Sequence, residues 1–167
     1  HSGGDIHLEH ANANKVLARF LTTQPDAQLA AINGGNLRNA IAREAEAVIG
    51  IPYSSKDNVV AELNQFAAMI EGEVGDIEKG MKITMETADA PETVIEKEVA
   101  DRLIKALIAC PHGVQGMSRS MPGLVETSTN MASVKMIEPG VIKIETSQRS
   151  SVESEKRAIA QVVATVL

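Results

Sequence analysis

Two stretches of the chain carry the same apolar spacing behind the same start signal, and this repetition limits the fold more than any other feature. Counting from Ser54, apolar residues stand 9, 12, 13 and 16 positions on, at Leu63, Phe66, Ala67 and Ile70. Counted from Ser150, the same offsets give Ile159, Val162, Val163 and Val166. Such offsets trace one face of a helix. Each start also pairs serine with an acid, Asp57 in the first case and Glu153 in the second. In such a pair the hydroxyl and the carboxylate satisfy amide hydrogens that a helix start leaves unpaired.

The elements around these two helices also come in one order. Ala13, Val16, Leu17, Phe20 and Leu21 mark a first helical face, which stops before Pro25. Leu29–Gly35 and Ala45–Tyr53 read as strands, joined through Gly34-Gly35-Asn36-Leu37-Arg38-Asn39, and Lys82–Thr87 reads as a closing strand. In the second half Ile95, Val99, Leu103, Ala106, Leu107 and Cys110 form a helical face ended by Pro111. A loop rich in Gly, Ser and Met follows. Strands over Leu124–Met136 and Val141–Thr146 then flank Pro139-Gly140. Helix–strand–strand–helix thus occurs twice, which predicts a duplicated unit with halves of about 1–90 and 91–167. The second half lacks a closing strand, Leu167 falls in mid-helix and His1 opens a glycine loop, so the expectation is a domain taken from a longer chain. The expected fold is α+β: a ferredoxin-like antiparallel sheet with helices packed on one face, doubled.

Aromatic residues make up only 2% of the chain against 44% hydrophobic residues, so the core must be aliphatic. Bases stack on exposed aromatic rings, and a net charge of -6 repels a phosphate backbone, so nucleic acid is excluded as a partner. No apolar run reaches the roughly 18 residues that span a bilayer, and the single Cys110 reads as a small buried hydrophobe in a reducing, cytoplasmic setting.

A search for chemistry returns little. His1, Asp5, His7, Glu9 and His10 are the one cluster of metal-ligand types, without a recognised ligand spacing, and the plain reading is a polar, solvent-facing segment. No nucleophile elbow and no phosphate loop occur. Gly34-Gly35 with Asn36 and Asn39 is either an anion cradle or a plain turn, with the turn favoured. His112 beside Pro111 reads as a loop side chain, and Met117, Met121, Met131 and Met136 as core or loop filling.

Four ordered segments nevertheless carry a resemblance. They are His1-Ser-Gly-Gly-Asp-Ile-His7 with Ala11-Asn-Ala-Asn-Lys15, Asn33 to Ile41 with Arg43-Glu-Ala45, Gly123 to Asn130, and Arg149-Ser-Ser. Together they resemble the lid (dimerisation) domain of bacterial aminoacyl-histidine dipeptidases, two-zinc exopeptidases of the group that includes carnosinases and succinyl-diaminopimelate desuccinylase. The resemblance implies a cytoplasmic hydrolase active in proteolysis as the parent. The two zinc ions and the carboxylate base would sit in a catalytic domain outside this chain, so the fragment would carry no metal and be inactive alone.

It also implies roles. His1 matches a lid histidine that donates to the oxyanion of the attacked peptide carbonyl. Asn39 matches an asparagine placed near substrate; Asn130 is a further substrate-side candidate, with an asparagine at a turn or strand edge as the alternative; and Arg149 matches an arginine that grips a substrate carboxylate, with an exposed strand-end arginine as the alternative. The sequence departs from the pattern at Ala42, where relatives carry proline, and at Ala132, where they carry glycine. The implied partners are the catalytic domain, the dipeptide substrate and a second copy of the chain in a homodimer. Two other readings remain: a stand-alone ferredoxin-like module that binds a small molecule at Gly34-Gly35, and a purely structural dimerisation module.

Overall fold

The computed structural model describes residues 1–167. The elements run α1 (Ala13–Thr22), β1 (Gln28–Gly34), β2 (Ala45–Gly50), α2 (Lys56–Val74), α3 (Lys97–Ala109), β3 (Gly113–Met117), β4 (Val125–Glu138), β5 (Val141–Ser150) and α4 (Glu153–Val166). All five strands are antiparallel neighbours in one sheet. The fold is therefore the α+β arrangement expected, with helix–strand–strand–helix in the first half and a third strand, β3, added to that order in the second.

The long strand β4 organises the sheet. β5 pairs with it from Thr127↔Ser150 to Glu138↔Val141. Its opposite edge is shared end to end: β3 takes residues up to Gly113↔Thr129, and β1 takes only Asn33↔Lys135 and Gly34↔Val134. Between these two partners, residues 130–133 of β4 have no strand on that edge. A bulge falls in the same place, where the register to β5 shifts between Met131 and Ser133. Ala132 is the extra residue. It is fully buried in extended strand, and the only non-glycine residue with positive φ in the chain is Glu9, so alanine meets no backbone strain there.

One face of the sheet carries the main core. Ala18 and Leu21 of α1, Ala100, Leu107 and Cys110 of the α3 region and Val163 of α4 pack on Leu29, Ile32, Met131 and Val134. α2 lies further out, where Val59, Leu63, Phe66 and Ile70 close on Phe20 of α1, with the two phenyl rings 5.4 Å apart. Burying these aliphatic faces contributes about 25 cal/mol for each Å² withdrawn from water. Cys110 is fully buried among them, as its register suggested.

Three local expectations are corrected. Lys82–Thr87 is not a strand. Met81 and Ile83 instead lean on the α2 cluster, so their apolar surface is covered without a ladder. Neither half therefore has a closing strand. The start at Ser54 is a short 3-10 turn over Tyr53–Ser55, and α2 begins at Lys56 without a side-chain cap. Finally, Gly113–Met117, read as loop, is a strand.

Candidate functional site

The other face of the sheet carries no helix of the main core. Residues facing away from the helices on β4 and β5 meet two irregular segments, 1–11 and 35–44. Asn130 and Ser128 of β4 point this way, and Ser128 is paired with Arg149, so Arg149 shares the face. Ser2, Ile6, Ile41 and Ala42 are buried without belonging to either helical core, which places them under these segments.

The four candidate residues come together here. Gly3 donates its amide to His1 Nδ1 at 3.0 Å. A ring that accepts at Nδ1 carries its proton on Nε2 when neutral. His1 Nε2 lies 3.1 Å from the atom placed as Asn39 Nδ2, a carboxamide whose nitrogen and oxygen can exchange places by turning over. Two donors do not face one another, so Asn39 presents its oxygen there and accepts from Nε2–H. The Ser2 amide donates to the Asn39 carbonyl at 2.9 Å, tying the two segments by their backbones as well. The Arg149 guanidinium lies over Gly3: a Cβ on Gly3 would stand 2.8 Å from Arg149 Cζ and 3.1 Å from His1 Cε1. His1, Asn39 and Arg149 are all exposed, so one solvent-facing patch carries an imidazole N–H, a carboxamide and a guanidinium.

Asn130 lies beneath them. It is 2% exposed, and its amide nitrogen donates to the carbonyls of Ala40 (2.8 Å) and Arg38 (3.4 Å), one on each side of Asn39. Its contact is with the loop that carries Asn39. Ala42, standing where the resemblance has proline, is 2% exposed and accepts the Ala13 amide at 2.9 Å, so packing and this bond hold the turn without a ring. Nearby, Ser133 and Lys143 both bond Glu145; the Lys143 bond first, and then Ser133, hold its carboxyl below the usual carboxylate range.

Gly34 and Gly35 serve packing. A Cβ on Gly34 would collide with the Asn14 side chain, and one on Gly35 (φ 64°) with the Ala132 carbonyl. The Gly35 amide already donates to the Glu44 carbonyl at 3.0 Å, so the pair offers no free cradle for an anion. No three His, Cys, Asp or Glu side chains gather into a metal-holding group. His10 instead bonds Glu78 at 2.9 Å, and Glu78 also accepts the Ala11 amide at 2.9 Å. No helix is long and apolar enough to cross a membrane.

Residues the sequence did not single out complete the assembly. Asn12 caps α1, accepting the amides of Asn14 (3.0 Å) and Lys15 (3.4 Å), a role its place just before the apolar run could have signalled. Gly3 as the seat of Arg149 had no sequence signal, since the two are brought together only by the fold.

Residues 1–78 match the family described as Peptidase dimerisation domain. The chain is 35% identical over 159 residues to the cytosol non-specific dipeptidase of Escherichia coli (strain K12), covering 93% of this chain and 33% of that protein. It superposes with a TM-score of 0.95 and 33% identity on the crystal structure of aminoacylhistidine dipeptidase from Vibrio alginolyticus, covering 99% of this chain and 34% of that one. The chain spans about a third of the length of these relatives. In fold and sequence it is similar to the part of these dipeptidases that it covers.

Proposed function

We propose that this chain is the lid of a cytoplasmic two-zinc dipeptidase that cleaves Xaa-His dipeptides, and that it self-associates in the intact enzyme. The observation that carries the reading is the convergence of His1, Asn39 and Arg149 on one exposed patch, from sequence positions far apart. The name of the aminoacylhistidine dipeptidase relative supplies the Xaa-His class, while that of the non-specific dipeptidase supports dipeptides in general.

In this reading His1 offers its Nε2–H to the carbonyl oxygen of the scissile peptide as negative charge develops there. Asn39 holds that N–H in place and yields it to the substrate. Arg149 meets a substrate carboxylate through paired N–H donors. Asn130 positions the Asn39 loop from below. Zinc, held by the catalytic domain of the parent, would supply an activated water. Closure of the lid excludes bulk water from the cleft. The fragment alone is inactive. We also read 1–90 and 91–167 as two copies of one unit that meet at the β1–β4 contact.

The test is His1→Ala in the full-length parent. Loss of an oxyanion donor lowers turnover by about 10²-fold or more. Turnover unchanged by the substitution would refute the catalytic role and leave a purely structural dimerisation module.

A further inference from the structure

The gap on the outer edge of β4 is filled by side chains. At Met131, between the end of β3 and the start of β1, the backbone amide donates to His112 Nδ1 at 3.2 Å and the backbone carbonyl accepts from Asn12 Nδ2 at 2.7 Å. Asn12 Nδ2 also lies 3.4 Å from His112 Nδ1. One side-chain acceptor and one side-chain donor thus take up both main-chain groups that a neighbouring strand would have paired. The two side chains come from different elements. Asn12 is the cap of α1, and His112 lies between the end of α3 and the start of β3.

The next residue along β4 is Asn130. Its amide holds the carbonyls on both sides of Asn39, and Asn39 accepts from His1. A backbone displacement at Met131 therefore reaches the exposed patch through one strand residue and one loop. The bulge at 131–133 leaves this part of β4 without a continuous ladder to resist such a displacement.

We propose that His112, acting with Asn12 as a stand-in for the missing strand, is a positioning residue for the His1–Asn39–Arg149 patch. This rests on the lid reading for its consequence in catalysis, but the linkage itself is a property of this chain. The clamp requires one tautomer. Nδ1 must be unprotonated to accept from Met131, so the neutral ring carries its proton on Nε2.

Nuclear magnetic resonance on the 167-residue chain tests it. His112→Leu removes the acceptor, and His112→Asn returns one through its carboxamide oxygen. Loss of the acceptor should speed hydrogen exchange at the Met131 amide about tenfold or more. It should also shift the side-chain resonances of Asn39 and His1, and His112→Asn should reverse both effects. Faster exchange at Met131 with Asn39 and His1 unmoved would overturn the proposal, and so would unchanged exchange at Met131. Should His112→Leu not fold, the imidazole nitrogen shifts of the unaltered chain decide: a proton on Nδ1 near neutral pH overturns the clamp. In the full-length parent the same pair should show kcat, more than KM, lowered by His112→Leu and restored by His112→Asn. If His1→Ala leaves turnover intact there, the lid reading fails while the resonance shifts in this chain stand, so the two failures are distinguishable.

Discussion

Mild acid should destabilise this chain through His112 before its carboxylates titrate. Burial, and then the charge of Lys15, push the His112 pKa from 6.5 down to about 4. The groups that face the ring are Asn12 and Lys15 of α1, Cys110 at the end of α3 and the Met131 amide of β4; none offers a negative charge to a protonated ring. The folded value lies below the unfolded one, so between them the unfolded chain binds more protons and stability falls as pH falls. The full interval from 6.5 to about 4 corresponds to about 3 kcal/mol, of which about 2 kcal/mol is lost by about pH 5. Glu73, Glu145 and Glu153 have lowered values too, but start from 4.5, so their contribution is lost mainly below that, outside the range from about pH 7 to 5. Urea denaturation at about pH 7 and pH 5 reads the effect. With a slope of about 2 kcal/mol per molar urea the midpoint should drop by about 1 M. His112→Asn, which keeps an acceptor and does not titrate, should lose most of this drop. An equal midpoint at the two pH values, or an equal drop in the variant, would refute the argument.

Three further outcomes follow from single contacts. Gly35→Ala, with φ 64° and the Ala132 carbonyl in the path of the new Cβ, should cost at least about 2 kcal/mol by denaturation, whereas Gly4→Ala, with open space around it, should cost a few tenths. Gly3→Ala displaces the flexible end of Arg149 and crowds the exposed His1 ring, so the melting temperature should hold while KM of the full-length parent rises; a lower melting temperature with KM unchanged would show that the contact matters only for packing. Lys15 Nζ donates to the carbonyls of Leu107 (2.9 Å), Ile108 (2.6 Å) and Cys110 (2.6 Å), capping α3 with a positive charge, and Lys15→Met should cost about 1–2 kcal/mol and speed amide exchange in the last turn of α3.

Helices were legible because their faces bury at the period the sequence shows. Leu63, Phe66 and Ile70 are buried and Ala67 half-buried, as the spacing from Ser54 required, but Val162, at the matching offset from Ser150, is 48% exposed. The face of α3 is rotated slightly from expectation, since Ala100 and Ile104 pack inward while Val99 is 39% exposed: small residues let the helix sit close, and pattern alone does not weigh that. β3 was not legible because Gly113 and Gly116 dilute its side-chain signal; its strand character comes from the β4 ladder. Lys82–Thr87 shows the converse, alternation without a partner edge. At the site, the motifs named His1, Asn39, Asn130 and Arg149, but not the partners that hold them. Contacts such as Gly3 under Arg149, or His112 on Met131, join positions whose proximity only the β4 register creates.

The two faces of the sheet are held by different forces, and the difference bears on function. The helical face is fixed by aliphatic burial, which is non-directional and spread over many residues. On the opposite face β4 buries Ser128, Asn130 and Ser133, an expensive arrangement unless each polar group is met. Ser133 is met by Glu145, and the Asn130 amide nitrogen by the loop carbonyls, while the Asn130 side-chain oxygen is buried without a partner. Such bonds fix geometry closely while each contributes only about 1 kcal/mol net. Segments 1–11 and 35–44 are therefore held by a small apolar contribution from Ile6, Ile41 and Ala42 together with individually weak directional bonds. Loops fastened in this way can hold the His1 imidazole beside the Arg149 guanidinium of β5 and still rearrange. Apolar packing of the same segments would hold them more firmly and aim the side chains less closely.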